Sequence, residues 1–357
     1  MAQQEGPYRT RERMKHMIGQ APGSSWAIRQ MYQTQEKRQI RRDSNFIGAG
    51  MLALTIFMQL TFTGVLLLMA LFGIVSPAAL AGQEGANFGL SENAYLVTYM
   101  LVYTIAMGFP MPLVALVCRR NINPFGPRQR VRPGAFFCLV FLGMAICILA
   151  NFITSYIMTY LEYFGVPQPE MPDLMKPDAI GLVLNILIFC VLPAFLEEMV
   201  FRGYVLQALR PHGDGVALLV SALLFGLMHG NVLQIPFAFV VGLVLGFVVI
   251  RTNNFFVAVV IHFLNNFMST MLDYAGYYLS DAALNVLTIV IFSLLAAIGG
   301  IAALVLYIRR SPVMQSTDAP RSLLTAGERG SAVLFQSPVM LISVIVFILL
   351  TAVSTFM

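Results

Sequence analysis

The stretch Ile180–Arg202, reading IGLVLNILIFCVLPAFLEEMVFR, has the length and apolar content of a membrane-crossing helix, yet it carries Glu197, Glu198 and Arg202 toward its end. An ionisable side chain in hydrocarbon is costly. Such residues turn inward, to a bundle interior or an aqueous cavity, and mark a functional site by default. Two later apolar segments each hold one histidine, His229 and His262. A carboxylate and two imidazoles inside a bilayer are the equipment of hydrolysis within or beside the membrane.

The rest of the chain supports this setting. Of its 357 residues 58% are hydrophobic and 11% charged. A soluble domain carries about 25% charged residues, so the fold class expected is all-α, a polytopic transmembrane helix bundle. At about 20 residues per crossing, nine apolar stretches qualify: 46–75, 94–117, 135–161, 180–207, 215–230, 233–250, 255–272, 283–307 and 339–357. This is a core of about eight helices with a ninth at the C-terminus. The fifth stretch is short and the fourth long. The first 45 residues are polar and basic, and the first apolar run exceeds a signal-peptide core, so no signal peptide is expected.

Charges alternate along this nine-span reading. Arg9, Arg11, Arg13, Lys15, Arg29, Lys37, Arg38, Arg41 and Arg42 precede the first span; Arg119, Arg120, Arg128, Arg130 and Arg132 follow the second. Arg210, Arg251, Arg309, Arg310, Arg321 and Arg329 fall on the same side. Glu84, Glu92, Glu162, Glu170, Asp173, Asp273 and Asp281 fall on the other. The positive-inside rule then places the N-terminus in the cytoplasm and the C-terminus outside. The net charge of +5 points to anionic lipid headgroups as partners and not to nucleic acid. The size points to a bacterial plasma membrane. Cys118, Cys138, Cys147 and Cys190 show no metal-ligand spacing and read as apolar cysteines in or at the ends of spans.

Four regions follow: a basic cytoplasmic arm (1–45), partly disordered or an interfacial helix; three scaffold spans (46–161); a catalytic core (162–310); and a cytoplasmic loop with a final span (311–357). His16 and His212 fall in cytoplasmic segments and read as incidental. Gly242 and Gly246 form Gly-x-x-x-Gly, a signal for close helix packing.

Within the core, spacing sets up contacts. Glu198 and Arg202 stand four apart with the acid first, the favourable helical ion-pair order. Glu197 is rotated about 100° away and faces something else. Pro193 leaves the carbonyl of Phe189 without its helical partner and predicts a kink. Phe225 and His229 are four apart, so the ring packs on the imidazole. His262 and Asn266 repeat the spacing, stacked on one face with hydrogen-bonding groups directed to a common point. Counting about 1.5 Å per residue puts Glu197 about 20 Å from Arg210, His262 about 16 Å from Arg251 and His229 about 21 Å from Gly215. All three reach one depth.

The ordered set Glu197-Glu198-x-x-x-Arg202, Phe225-x-x-x-His229 and His262-x-x-x-Asn266 resembles the CAAX-processing and bacteriocin-immunity proteases, the CPBP family. Eukaryotic members remove the C-terminal tripeptide of prenylated proteins. The resemblance covers about residues 180–270; the basic arm and ninth span depart from an eight-helix family core. It implies a glutamate-type intramembrane endopeptidase acting on membrane-associated peptides or proteins. Glu197 and His229 would activate water, and His262 and Asn266 would stabilise the oxyanion. Glu198, Arg202 and Phe225 would support them. The reading expects no cofactor; its alternative is zinc held by Glu197, His229 and His262. It favours the metal-free form because there is no His-Glu-x-x-His and Asn266 suits an oxyanion hole. A non-catalytic adaptor or immunity protein is the alternative function. A transporter with Glu197 as proton carrier is disfavoured, since no inverted repeat is visible.

Overall fold

The computed structural model describes residues 25–81, 87–165, 178–311 and 322–356, and among these it is helical throughout, without a named strand. Helix α1 (Ser25–Leu71) is followed by the short α2 (Pro77–Leu80), then α3 (Glu92–Gly108), α4 (Pro110–Val117) and α5 (Pro133–Tyr163). The glutamate-bearing stretch is one long composite helix. It comprises α6 (Ala179–Asn185), a π-helical segment Ile186–Val191, α7 (Leu192–Glu198), a second π-helical segment Met199–Val205, α8 (Leu206–Leu209) and a 3-10 turn Arg210–His212. Then come α9 (Asp214–Met228), α10 (Ile235–Thr252), α11 (Phe255–Gly276), α12 (Asp281–Ile308), α13 (Ala326–Leu334) and α14 (Pro338–Phe356).

Eight of these helical stretches are long and apolar enough to cross a membrane. The chain is therefore an all-α polytopic membrane protein. The fifth expected crossing, 215–230, is shorter than these, and Arg210 bonded to Asn253 shows that it leaves, and α10 returns to, the same end of the bundle. This stretch is α9, an apolar helix of 15 residues, about 22 Å long and short of the roughly 30 Å hydrocarbon core. Its length is limited by Gly213 before it, at φ 127°, and Gly230 after it, at φ 61°. It packs antiparallel on α10, and the Gly-x-x-x-Gly pair makes the seam. A methyl group at Gly242 would sit 3.0 Å from Ala222 Cα, and one at Gly246 would sit 2.6 Å from Leu218 Cδ1. α9 thus fills the bundle interior, with Val216, Ala217, Val220, Leu224 and Phe225 buried.

The segments rich in arginine meet at one end of the bundle. Arg120 Nη1 is 2.7 Å from Asp43 Oδ1, and His212 Nε2 is 2.8 Å from Asp43 Oδ2. Arg210 Nη1 donates to Asn253 Oδ1 at 2.9 Å, and Asn254 Nδ2 donates to Gln129 O at 2.7 Å. Arg329 lies beside Gly213. His212, read as incidental, is 6% exposed and ties the end of the glutamate-bearing helix to α1. Nothing in its local sequence signals Asp43, 169 residues away.

Helix α1 runs unbroken through residue 45, where the polar arm passes into the first span; its 47 residues extend about 70 Å. His16 lies outside the described residues. The loop before the last span is not all irregular: Thr325 and Glu328 form a capping box that starts α13. The last span docks on α1, where Asn45 Oδ1 accepts from Val339 N at 3.0 Å and Met340 is fully buried. Of the cysteines, Cys147 and Cys190 are buried, Cys138 is half-buried and Cys118 is exposed.

Candidate active site

The site grows from the composite helix. Pro193 has no N–H to give, so the helix cannot hold a regular α register across it. The chain takes a π turn over Ile186–Val191, with Pro193 in the first turn of α7. The carbonyl of Phe189, left over by Pro193, accepts from Asn266 Nδ2 at 2.9 Å. A second π segment follows Glu198, and its carbonyls are also claimed by side chains. Ser221 Oγ donates to Phe201 O at 3.0 Å, and Gln207 Nε2 donates to Arg202 O at 3.1 Å. π turns inside α-helices concentrate at functional sites; here two of them bracket the paired glutamates. The loop after α4 closes over the second one. A side chain at Gly203 would collide with Pro124 O at 1.8 Å, so only glycine fits.

Glu197 and Glu198 are both buried, with exposures of 7% and 0%, and have different partners. Arg202 Nη1 donates to Glu198 Oε1 at 2.7 Å, and His262 Nδ1 stands 2.9 Å from the same oxygen. Arg202 Nη2 donates to Gly242 O at 3.0 Å, and its guanidinium lies 4.5 Å from the centroid of the Phe225 ring. Glu197 turns away, as its 100° offset requires. Its Oε1 accepts from Tyr103 Oη at 2.6 Å, and its Oε2 is 3.8 Å from His262 Nε2.

Phe225 is the hub between the histidines. Its ring centroid is 5.1 Å from that of His229 and 5.9 Å from that of His262, edge-on in both cases. His229 caps the end of α9, half-buried, with Nδ1 2.8 Å from Phe225 O. A carbonyl only accepts, so Nδ1 carries the proton and Nε2 presents a lone pair. His262 is fixed in the same sense by a carboxylate on Nδ1, which leaves Nε2 on the side of Glu197.

Glu197, Glu198, Arg202, Phe225 and His262 are thus in one contiguous cluster, with His229 joined to it through the Phe225 ring. Asn266 stands one turn beyond His262 on α11, and its amide has partners of its own. Its amide is drawn to Phe189 O, and its Oδ1 accepts from Asn265 Nδ2 at 3.3 Å. The amide nitrogen retains a second N–H. Tyr103 is the partner that the sequence reading missed. It comes from a span read as pure scaffold. The available signal was Tyr95, Tyr99 and Tyr103 at four-residue intervals in an apolar helix, where each hydroxyl needs a polar neighbour. Tyr99 stacks on Tyr103 at 6.3 Å and extends the wall toward Phe189.

Among the described residues no three His, Cys, Asp or Glu side chains converge as a metal-ligand set. The partners on both Nδ1 atoms orient the imidazoles equally for proton chemistry and for metal binding.

The fold thus joins a buried acid–histidine cluster to a helix bracketed by π turns inside a polytopic bundle. Residues 179–268, which hold every one of these groups except Tyr103, match the family model for type II CAAX prenyl endopeptidase Rce1-like. The match covers nearly the same residues as the CPBP resemblance, and the chain around it is an integral multi-pass membrane protein. No curated protein and no solved structure matches the chain.

Proposed function

We propose that the chain hydrolyses peptide bonds of membrane-associated proteins or peptides with a water activated by Glu197 and His229. The observation that carries this reading is the split between the two acids. Glu198 Oε1 is held by Arg202 and His262, whereas Glu197 has only a tyrosine hydroxyl and the near edge of an imidazole. Glu197 is therefore the acid left free to take a proton from water. Water held between Glu197 and His229 Nε2 gives its proton to Glu197 as its oxygen attacks the scissile carbonyl carbon. His262 acts as the imidazolium, with Nδ1–H on Glu198 and Nε2–H on the developing oxyanion. The second N–H of Asn266 shares that charge. Collapse breaks the C–N bond, and Glu197 returns its proton to the leaving amine. A substrate lipidated near its scissile bond fits the family's prenyl endopeptidase description.

Zinc on Glu197, His229 and His262 is the competing mechanism, and it would act as an integral reactant that lowers the pKa of its water toward about 7. Two measurements on the purified protein separate the two. In the metal-free reading, activity survives prolonged chelation, and Asn266→Ala lowers kcat by about 10²–10³-fold with KM little changed. Stoichiometric zinc that leaves with activity and restores it would make His262 a ligand.

The same reading orients the chain. The arginine-rich end of the bundle is cytoplasmic by the positive-inside rule. A reporter fused after Arg132 is expected to read cytoplasmic, one after Leu279 external, and a C-terminal tag external. A C-terminal tag labelled only after the cytoplasm is opened would remove the ninth crossing.

A further inference from the structure

A cavity of about 570 Å³ opens at the arginine-rich end of the bundle, far along the fold from the glutamate–histidine cluster. Four arginines line it, Arg38, Arg41, Arg42 and Arg120, with Asn45, Phe46 and Cys118 completing the wall. It lies between the polar half of α1 and the end of α4. A volume of this size is within the range of small-ligand sites.

The charges of the cavity are poorly balanced from within the protein. Asp43 neutralises Arg120 at 2.7 Å, and its second oxygen is occupied by His212 at 2.8 Å. Arg41 Nη2 donates to the neutral Gln336 Oε1 at 2.8 Å. Among the described residues, no carboxylate is bonded to Arg38 or Arg42. Arg120 is held in place twice, by Asp43 and by its Nη2 bond to Arg42 O at 3.2 Å. The result is a fixed guanidinium, Arg120, beside Arg38 and Arg42, which have no bonded carboxylate among the described residues, a donor set that suits phosphate oxygens.

One side of the cavity is apolar and uncovered. Cys118 on its wall directly follows Leu116 and Val117, which are 76% and 73% exposed, and Leu113 one turn earlier is also exposed. These residues end a helix that crosses the membrane, so the exposed face is a lipid-facing one. A free anion would use the arginines alone. A phospholipid would use both, its phosphate among the guanidiniums and an acyl chain along Leu113, Leu116 and Val117.

We infer that this pocket is a binding site for the phosphate headgroup of an anionic phospholipid, with an acyl chain laid on the end of α4. Basic pockets between membrane helices are a known route to such recognition. The site is separate from the proposed hydrolytic centre and does not depend on it.

The test uses the full-length protein reconstituted with phosphatidylcholine and phosphatidylglycerol, followed by detergent extraction and native mass spectrometry of the lipid that stays bound. Phosphatidylglycerol is expected to be retained over phosphatidylcholine. Arg38→Gln with Arg42→Gln should weaken that retention about tenfold or more, given the attraction carried by each arginine at an anionic surface. Arg130→Gln with Arg132→Gln removes the same charge from exposed positions outside the pocket and should leave retention unchanged. Leu116→Asn with Val117→Asn should weaken it while sparing any binding of inorganic phosphate. Equal loss in the Arg130/Arg132 control, or equal retention of phosphatidylcholine, would overturn the proposal by reducing it to general surface charge. Displacement of the lipid by inorganic phosphate alone would overturn it in favour of a free-anion site. All four arginine positions are solvent-facing or exposed, and a monodisperse size-exclusion profile confirms that each variant is folded.

Discussion

Glu197→Gln is expected to abolish peptide cleavage, by about 10²–10⁴-fold as for loss of a general base, while the protein still folds to normal yield. The substitution keeps the shape of the side chain. A glutamine Oε1 still accepts the hydrogen bond of Tyr103, and its amide fills the place of Oε2 beside His262 Nε2. What disappears is the ability to take a proton from water. Turnover of a membrane-embedded peptide by the purified variant checks this, together with its elution as a folded monodisperse species. Wild-type turnover in the folded variant would remove Glu197 from the role of base.

Arg202→Ala and Glu198→Gln are expected to give a different phenotype one residue or one turn away: loss of folded protein. Arg202 and Glu198 are both fully buried, and each loses its main countercharge when the other is changed. Breaking a buried pair from one side costs about 3–5 kcal/mol because the remaining charge has nowhere to go. Arg202 also supports Gly242 O and the face of Phe225, so its loss loosens the contact of α10 and the hub between the histidines. Glu198→Gln leaves His262 Nδ1 without a carboxylate. Thermal unfolding in detergent should show a lowered midpoint for both variants and none for Glu197→Gln. If all three variants melted like the wild type, the division of labour between the two acids would be wrong.

Much of this arrangement was legible in the sequence, and the parts that were not have physical causes. The Glu198–Arg202 pair, the Phe225–His229 contact and the Gly242–Gly246 seam are local. Each follows from helical periodicity within one element, and each is present in the fold. Pro193 correctly announced an orphaned carbonyl at Phe189, but the partner, Asn266, sits 77 residues on. Local spacing placed that amide on the His262 face but could not name the carbonyl that takes one of its N–H groups. The two π turns were invisible because a π turn is set by the packing around it and has no periodic signature of its own. Tyr103 and the His212–Asp43 contact depend on which helices become neighbours, which hydropathy does not encode. The fifth stretch, read as short, is a helix of 15 residues.

The site itself owes most to residues whose types are rare in a span. An acid pair, two histidines and an asparagine cannot be hidden in lipid, so their positions alone marked 180–270 as the functional region. The family match over 179–268 covers the same residues. By contrast, the arginine pocket at the end of α1 blended into a background of topogenic charge. Only the fold separates the guanidiniums that face a cavity from those that face water.

The most direct test of the central reading is a comparison of protein C-termini in membranes carrying the wild-type chain with those in membranes carrying Glu197→Gln at equal abundance. The account predicts newly generated C-termini on membrane-associated proteins that are present with the wild type and absent with the variant. Identical sets of C-termini, from cells in which both proteins are folded and in the membrane, would contradict it.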